Sequence, residues 1–387
     1  MKCITVAFLT FLLAFSAVAQ TPAPAPPAPA PAPAPTNGAT PWSVGGITFS
    51  GLLDGYYSLN FNHPISRTNN IRNFDVRANQ FSLNMAKLTL EHAPEPVGFR
   101  IDFGFGRAFD IIHSAEASPG FIRNVEQAYV SYKPARAKGL QLDFGKFVTN
   151  AGAEVIETHS NWNYSRSILF AYAIPYYHFG ARASAPLHKN FTAGASVTNG
   201  WNNVEDNNSA KTLGLTGAIT TSKVTWSHNY YVGPEKAHIS PEEVHLSQGL
   251  RHLYDTTLLL TPNEKANFYI NFDYGVDKRS QRRGGGSDRW VGIAGAARFA
   301  VNSWFALSPR LEWFHDADGI TTGTVQKLKE FTMTGEFKMK KGVFMRTEYR
   351  RDWSDTPYFD RGNSLGNHKN QDTLLLGFVA FFGGSEN

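Results

Sequence analysis

Apolar and polar residues alternate along most of this chain from Trp42 onward. Between residues 97 and 106, Val, Phe and Ile at the odd positions alternate with Gly, Arg and Asp at the even positions. The same period of two recurs at 267–276, 305–313 and 330–339. Successive side chains of a β-strand point to opposite faces, so each segment is predicted to be a strand with one apolar and one polar face. Each apolar face extends over about ten residues, the length with which a tilted strand crosses a bilayer.

The pattern predicts sixteen strands joined by connections of two kinds. The strands are expected at about 47–60, 80–92, 97–107, 124–133, 139–147, 177–187, 190–199, 211–220, 222–232, 250–261, 265–277, 289–301, 304–315, 326–339, 342–353 and 371–382. Short turns alternate strictly with long loops, and the long loops fall at 61–79, 108–123, 148–176, 200–210, 233–249, 278–288, 316–325 and 354–370. Outer-membrane barrels have short periplasmic turns and long external loops, whereas a β-sandwich has no reason to collect every long loop at one end.

The predicted fold class is therefore all-β: a closed antiparallel transmembrane β-barrel of about sixteen strands in an up-and-down meander, preceded by a disordered Pro/Ala-rich segment. Closure satisfies the backbone hydrogen bonds that lipid cannot satisfy. A barrel of this size is expected to enclose a lumen wide enough for water. Aromatic residues near strand ends are expected to form girdles at the membrane interfaces, while about a third of them are expected to pack in loops instead. They are Tyr56, Tyr57, Tyr176, Tyr177, Tyr230, Tyr231, Trp290, Trp304, Trp313 and Trp353.

Composition agrees with a β-rich chain but does not choose between a secreted sandwich and a membrane barrel. Of the 387 residues, 42% are hydrophobic, 13% aromatic and 18% charged, and the mean hydropathy is −0.30. Soluble proteins carry about 25% charged residues. Helical membrane proteins need apolar runs of about 18 residues, and no such run follows the N-terminal segment. Given the alternation, the hydrophobic residues are expected to form an outward belt facing lipid rather than a buried core.

The N-terminus is predicted to be a secretory signal peptide followed by a linker. Lys2 precedes an apolar stretch that ends in a small-residue cleavage box, so residues 1–19 are expected to be removed; an uncleaved anchor is the alternative. Residues 20–42 are rich in Pro-Ala alternation and predict a semi-rigid periplasmic linker, and residues 43–387 form the barrel. Cys3 is the only cysteine, and its loss would exclude disulfides and cysteine chemistry. The net charge of +5 is too small to indicate a nucleic-acid partner.

Several stretches of the N-terminal half resemble a known family. They are GLLDGYYSLNFNHP (51–64), RNFD (72–75), FSLNMAKLTLE (81–91), PVGFRIDFGFG (96–106), QAYVSY (127–132), LDFGKFVTNAGAEVIE (142–157), NWNYSRS (161–167) and AIPYYHFG (173–180). In these stretches the chain resembles the putative beta-barrel porin-2 (OmpL-like) family. The resemblance implies a Gram-negative outer-membrane porin and brings no catalytic residues with it. One departure is that the aromatic pair Phe381-Phe382 is followed by five further residues, whereas barrel proteins commonly end on an aromatic.

The polar faces of the predicted strands supply candidate pore-lining residues. They are Arg100, Asp102, Asp143, Asp273, Arg310, Glu312, Glu330, Glu336, Lys338, Arg346, Glu348 and Arg350. Opposite charges across a lumen set a transverse field and tune ion preference. The alternative is that these side chains pair along the wall and only keep it solvated.

The longest loop, residues 148–176, is expected to fold into the lumen and narrow it, by analogy with the third loop of sixteen-strand porins. Its ionisable residues are the candidates for the constriction: Glu154, Glu157, His159 and Arg166. Residues 152–157 are predicted to form a short helix, and the apolar stretch 168–174 is not expected to remain in water. A lid or a subunit contact is the alternative role for this loop.

Other chemistry has little support in the sequence. It contains no Cys/His metal arrangement, Gly-x-Ser-x-Gly motif or phosphate loop, so no catalytic residue, metal or cofactor is predicted. Residues 316–319 begin like a calcium loop, but the later ligands are absent and a plain turn is expected. The basic segment 279–286 is a candidate for contact with lipopolysaccharide.

The sequence thus predicts an outer-membrane porin, not an enzyme, that allows passive diffusion of small hydrophilic solutes and ions. Its expected partners are outer-membrane lipid, lipopolysaccharide and further copies of the chain in a homotrimer. One alternative is a barrel enzyme of the lipase or protease type, for which only the adjacent pair Ser227 and His228 offers a starting point. The other is a surface receptor or adhesin that uses the long loops.

Overall fold

The computed structural model describes residues 42–116, 120–208, 210–236, 249–278, 286–340 and 342–383. A short strand, β1 (Trp42–Val44), pairs with the start of the first long strand. The sixteen barrel strands are β2 (Ile47–Asn60), β3 (Gln80–His92), β4 (Val97–Phe105), β5 (Val125–Tyr132), β6 (Gln141–Val148), β7 (Tyr177–His188), β8 (Phe191–Thr198), β9 (Thr212–Thr220), β10 (Val224–Gly233), β11 (Arg251–Asn263), β12 (Ala266–Lys278), β13 (Ser287–Ala300), β14 (Phe305–Asp316), β15 (Gln326–Lys340), β16 (Val343–Ser354) and β19 (Asn370–Phe382).

The sixteen strands form one closed antiparallel barrel. Each strand pairs with the next along the chain, and β19 pairs with β2, with Gly377 opposite Tyr56. The predicted meander is therefore confirmed, and every predicted strand boundary lies within two residues of the observed one. Among the described residues, no helix is long and apolar enough to cross a membrane. The predicted signal peptide, most of the linker and the basic residues 279–285 lie outside the described residues.

The loops carry the remaining elements. The second loop contains α1 (Arg107–Ile112) and a 3₁₀ turn (Gly120–Asn124). The third contains a 3₁₀ turn (Thr158–Ser160) and α2 (Ile168–Tyr172). The last loop forms a hairpin from β17 (Phe359–Arg361) and β18 (Ser364–His368). In the seventh loop, Asp316 accepts hydrogen bonds from the backbone N–H groups of residues 320–322, so the calcium-like segment is a plain turn.

The two faces of the wall differ as the alternation predicts. On β4, Phe103 and Phe105 are exposed toward the lipid side, whereas Asp102 is fully buried on the lumen side. The expectation that the hydrophobic residues form no buried core is wrong, because loop residues such as Phe74, Phe109 and Leu169 form a buried apolar cluster with lumen-facing side chains. A wide barrel leaves an interior that the loops fill with their own apolar residues.

The ten aromatic residues near strand ends do not all lie on the outer face. Trp304 and Tyr230 are exposed, as a girdle requires. Four of the predicted residues are buried instead: Tyr56, Tyr177, Tyr231 and Trp290. Nearness to a strand end does not fix the face on which a side chain lies, and these four pack against loop residues.

Candidate functional site

The third loop, residues 148–176, lies inside the barrel and is bonded to its charged inner wall. The carboxylate of Glu154 accepts a hydrogen bond from Arg310 of β14 at 2.7 Å, and both side chains are almost fully buried. Glu157 forms an ion pair with Lys87 of β3, five strands further round the barrel from β14. The inward position predicted for this loop is therefore observed, and it excludes a free external lid.

The tip of the loop is held by β16. Arg346 donates hydrogen bonds to the carbonyls of Thr158 at 2.8 Å and Asn163 at 3.1 Å, and also to that of Asn161. Glu348, one inward position further along β16, accepts from the backbone N–H groups of residues 164 and 165 at 2.6 and 3.0 Å. Carbonyl and N–H groups of a loop need such partners once water is removed. One strand therefore satisfies five backbone groups of the loop tip.

The return segment of the loop starts at α2. Glu312 accepts hydrogen bonds from the N–H groups of Ile168 and Leu169 at 3.0 and 3.2 Å, and the Ser167 hydroxyl caps the N–H of residue 170. These are N–H groups that a helix start leaves without intrahelical partners. Arg166 donates to the carbonyls of residues 155, 156 and 164, which ties the outgoing and returning segments together.

The predicted helix at residues 152–157 is wrong; the helix of this loop is α2, in the apolar stretch. Gly152 has a φ of +93°, which is incompatible with a right-handed helix. The N–H groups of Gly152 and Ala153 donate to the side chains of Asp255 and Asn271 on the wall. Because side chains of the wall accept hydrogen bonds from these N–H groups in an extended segment, a helix would gain no further backbone hydrogen bonds for them.

A glycine on the wall makes room for the loop. A Cβ atom on Gly377 of β19 would lie 2.4 Å from the ring of Tyr164, closer than side chains approach one another. The Tyr164 hydroxyl donates to Asp54 of β2 at 2.5 Å.

We expect Gly377→Val to destabilise the protein by about 1–3 kcal/mol, because overpacking forces Tyr164 away from Asp54. The midpoint of urea unfolding in lipid vesicles measures this change. Gly295→Val is the matched control, since a Cβ on Gly295 has no atom closer than 3.8 Å. Equal midpoints for the two variants would contradict the packing.

Lys87 is the centre of a buried charge cluster. Its ammonium forms ion pairs with Asp102 at 3.3 Å and Glu126 at 2.9 Å, and also with Glu157 of the loop. Oxygen atoms of these three carboxylates lie within 4.8 Å of one another, a spacing that would suit a metal ion. The Lys87 ammonium already contacts all three carboxylates, so we assign the cluster to loop attachment rather than metal binding.

The structure divides the predicted site residues into two groups. One group is buried and bonded to the third loop or to its attachment points: Glu154, Arg166, Arg310, Glu312, Glu330, Arg346, Glu348 and Arg350. Their lumen-facing position is as predicted, but they are bonded to loop atoms or attachment points, and of the eight Glu154 and Arg346 also border the cavities. The other group borders space beside or beneath the loop: Arg100, Glu157, His159, Glu336 and Lys338.

Three predicted aspartates are buried in the wall and have no direct bond to the third loop. Asp102 and Asp143 orient arginines of the wall: Asp102 accepts from Arg100 at 3.1 Å and Asp143 from Arg182 at 2.8 Å. Asp273 is buried opposite Asp255 in the register of β11 and β12.

His159 does not supply a charge at neutral pH. Its ring stacks on Phe381 with centroids 4.9 Å apart. Burial lowers the pKa of His159 to about 4, so the imidazole is neutral under ordinary conditions.

Sequence reasoning missed Lys87, Arg182 and Asp255. Lys87 and Arg182 lie on the polar faces of their strands, two positions from Thr89 and Ser184. The alternation of apolar and polar residues therefore predicts that both side chains face the lumen. The alternation does not predict that the third loop is their neighbour inside the barrel.

Three spaces lie beside or beneath the third loop. A cavity of about 470 Å³ separates residues 148–162 from the wall and is bordered by Arg100, Tyr129, Arg182 and Ser227. A cavity of about 1030 Å³ lies beneath the loop tip, beside the turns at 262–264 and 302–303. A slit of about 40 Å³ is bordered by Phe147, His178 and Tyr231. The first two spaces share Trp162, and the first and third share Ser227.

The carboxyl group of Glu235, in the described part of the fifth loop, has a pKa far above its ordinary value. In the fifth loop, Glu235 accepts hydrogen bonds from the Thr212 hydroxyl at 2.5 Å and the Trp201 N–H at 2.8 Å. Burial raises the pKa of Glu235 to about 7, against the opposing effect of the nearby Arg251 guanidinium.

We therefore expect the contact between the fourth and fifth loops to weaken as the pH rises through about 7. A carboxyl whose pKa is raised in the folded state contributes stability at low pH and loses it as it ionises. Hydrogen exchange of the Trp201 amide should gain protection below this pH, beyond the change in intrinsic rate. In Glu235→Gln the protection should be independent of pH; identical profiles for both proteins would refute the assignment.

A closed sixteen-strand barrel with a charged lumen and an inward third loop defines the class of outer-membrane channels. A family model described as "Putative beta-barrel porin-2, OmpL-like" matches residues 46–382, and the chain belongs to this family. No curated protein sequence matches the chain significantly. Fold and family together identify it as a passive outer-membrane porin.

Solved structures with this fold include several channels. The outer membrane channel DcaP of Acinetobacter baumannii matches with a TM-score of 0.60 at 10% identity, covering 89% of this chain and 100% of that one. The trimer form of OmpT of Vibrio cholerae has a TM-score of 0.56 at 12% identity, covering 87% and 99%. The anion-selective porin of Comamonas acidovorans has a TM-score of 0.56 at 11% identity, also covering 87% and 99%. At such identities the likeness concerns the fold alone.

Proposed function

We propose that small hydrophilic solutes and ions diffuse through the space beside residues 148–157 of the third loop. The observation that carries this proposal is the asymmetry of the loop attachment. The tip and the return segment are bonded to β14 and β16, which fills that side of the lumen. The cavity of about 470 Å³ and the slit that adjoins it lie on the other side.

Partly exposed charged side chains of both signs face this space, among them Glu91, which pairs with Arg100 and is 51% exposed. The side chains of Arg100 and Arg182 on the wall are 27% and 21% exposed, and that of Glu157 on the loop is 16% exposed. We assign ion preference to these partly exposed groups, because a fully buried pair adds little field to the passage. The buried aspartates Asp102 and Asp143 hold the two arginines in place.

We expect the double replacement Arg100→Gln with Arg182→Gln to shift the reversal potential of the channel toward cation preference. Removing two positive charges leaves Glu91 and Asp143 without their arginine partners, so the passage becomes more negative. Reversal potentials in a salt gradient across a planar bilayer measure the shift. Arg351→Gln is the control, because Arg351 is 46% exposed and pairs with Asp372 away from the lumen. An unchanged reversal potential in the double variant would remove both arginines from the passage.

The proposal includes the partners of the barrel. The exposed outer face, with Phe81 82% and Phe105 57% accessible, supports contact with outer-membrane lipid and lipopolysaccharide. A homotrimer is supported by a structure of similar fold, the trimer form of OmpT.

We further propose that residues 1–19 direct secretion and are removed, and that the Pro/Ala-rich linker lies in the periplasm. Because Trp42 belongs to β1, the linker would end at residue 41 rather than 42.

We propose that this porin has no catalytic role. Ser227 and His228 lie on opposite faces of β10: the Ser227 hydroxyl donates to the Thr257 carbonyl at 3.4 Å, and the His228 ring lies 4.6 Å from the exposed Trp226. This separation gives the pair no shared substrate position.

Discrete conductance steps of the purified protein in planar bilayers test the channel function. Well-folded protein that gives no steps would overturn it.

A further inference from the structure

One aromatic side chain of the third loop points into open space while its neighbours are fixed. Asn161 and Asn163 are buried, and Asn163 donates to the Ser308 carbonyl at 3.0 Å and the Thr334 hydroxyl at 2.8 Å. Between them, Trp162 is only partly buried and borders both larger cavities. Its ring lies 5.1 Å from that of Tyr269, inclined by 36°. The fixed flanking residues thus hold an indole face at the junction of the two cavities.

Hydrogen-bonding groups border the same cavity. Tyr129 lies on the wall between Arg100 and Arg182, and the Arg182 guanidinium is 5.3 Å from the Tyr129 ring centre. Gln141 completes this set, and its amide donates to Asp143 at 2.9 Å. These groups are planar, and they are oriented by buried carboxylates. They can present several donors and acceptors to a solute without rearrangement.

The remaining wall of this space carries small uncharged residues. Along β10 and β11 the cavity is bordered by Thr225, Ser227 and Thr257 rather than by acids or bases. The charged side chains that border it include both signs. The cavity volume of about 470 Å³ falls within the range in which small molecules bind. A passage of this kind suits a neutral polar solute better than an ion.

We propose that the cavity beside the third loop binds a saccharide ring, with Trp162 against its C–H face and the Tyr129–Arg100–Arg182–Gln141 group on its hydroxyls. A sugar ring has an apolar face and a polar edge. The negatively polarised face of an indole attracts the C–H groups of the apolar face. Planar guanidinium and amide groups bind the hydroxyls of the polar edge. The proposal rests on the passage assigned above and names the solute class that this passage favours.

Equilibrium binding of maltose to the full detergent-folded chain tests the inference without requiring conductance. We expect millimolar binding by titration calorimetry, and much weaker binding of the acyclic polyol sorbitol, which has hydroxyls but no ring face. Trp162→Ala should weaken maltose binding about tenfold, whereas Trp162→Phe should retain most of it. Tyr129→Phe, which removes a single hydroxyl, should weaken it less than Trp162→Ala.

Trp304→Ala is the control, because Trp304 is 54% exposed and borders neither cavity. Unchanged maltose binding in Trp162→Ala, equal binding of sorbitol and maltose, or no binding to folded wild-type protein would each overturn the saccharide site. A wild-type protein that conducts ions but binds no maltose would leave the porin proposal intact. One that binds maltose but gives no conductance would overturn the porin proposal and leave the saccharide site standing.

Discussion

Arg346→Ala is expected to release the tip of the third loop and raise the single-channel conductance severalfold. Three loop carbonyls lose their donor in this variant, at residues 158, 161 and 163. Glu336 loses its pair with Arg346 at 2.7 Å and keeps its pair with Arg298 at 2.8 Å. Removing one member of a buried ion pair costs about 3–5 kcal/mol. A cost of that size lets the loop tip leave the wall and widens the passage.

Arg351→Ala is the matched control for this experiment. Arg351 lies on the same strand as Arg346 but points to the opposite face, where its pair with Asp372 is exposed. Exposed ion pairs contribute about 0–1 kcal/mol, so the control should leave conductance and stability unchanged. An Arg346→Ala channel with the conductance of the wild type would show that the loop tip does not depend on this arginine.

Lys87→Met is expected to lower the free energy of unfolding by about 3–5 kcal/mol. The variant leaves the carboxylates of Asp102, Glu126 and Glu157 in a buried site without the cation that binds all three. Arg100 contacts Asp102 alone of these, at 3.1 Å, and cannot replace the ammonium. Mutual repulsion of the carboxylates should also free Glu157, and with it the outgoing segment of the third loop. Urea unfolding in lipid vesicles measures the loss.

A compensating variant separates charge from packing in this cluster. Adding Glu126→Gln and Glu157→Gln to Lys87→Met removes the two carboxylates that Arg100 does not contact, and we expect most of the lost stability to return. Lys329→Met, which changes an exposed lysine of β15, should have no effect. Failure of the double glutamine replacement to restore stability would mean that Lys87 acts through packing, not charge.

The alternation of residues predicted the barrel closely because one physical constraint governs all sixteen strands. Lipid on one side and polar groups on the other force a period of two, and this period survives in the sequence of every strand. The same constraint assigns Arg310, Arg346 and Glu348 to the inner face from the residue pattern alone. It does not show whether these side chains face water or protein.

The role of the inner charges depends on where the third loop lies, and this depends on contacts remote in sequence. Glu312 and α2 are separated by more than 140 residues, and so are Glu154 and Arg310. No local pattern reports such pairs. The apolar stretch at 168–174 indicates from sequence that this part of the loop is buried, and the structure forms the helix α2 there. The helix predicted at 152–157 does not form, because side chains of the wall accept hydrogen bonds from the backbone N–H groups of that segment.

Thiol modification during single-channel recording tests most directly the claim that solutes pass on one side of the third loop. In a Cys3→Ser background, Ser227→Cys places a thiol beside the cavity, and Thr334→Cys places one behind the loop, where Thr334 is fully buried and bonded to Asn163 and Glu348. A cationic, membrane-impermeant thiol reagent should reduce the conductance of the Ser227→Cys channel and leave that of the Thr334→Cys channel unchanged. Block of the Thr334→Cys channel with no effect on the Ser227→Cys channel would contradict the account.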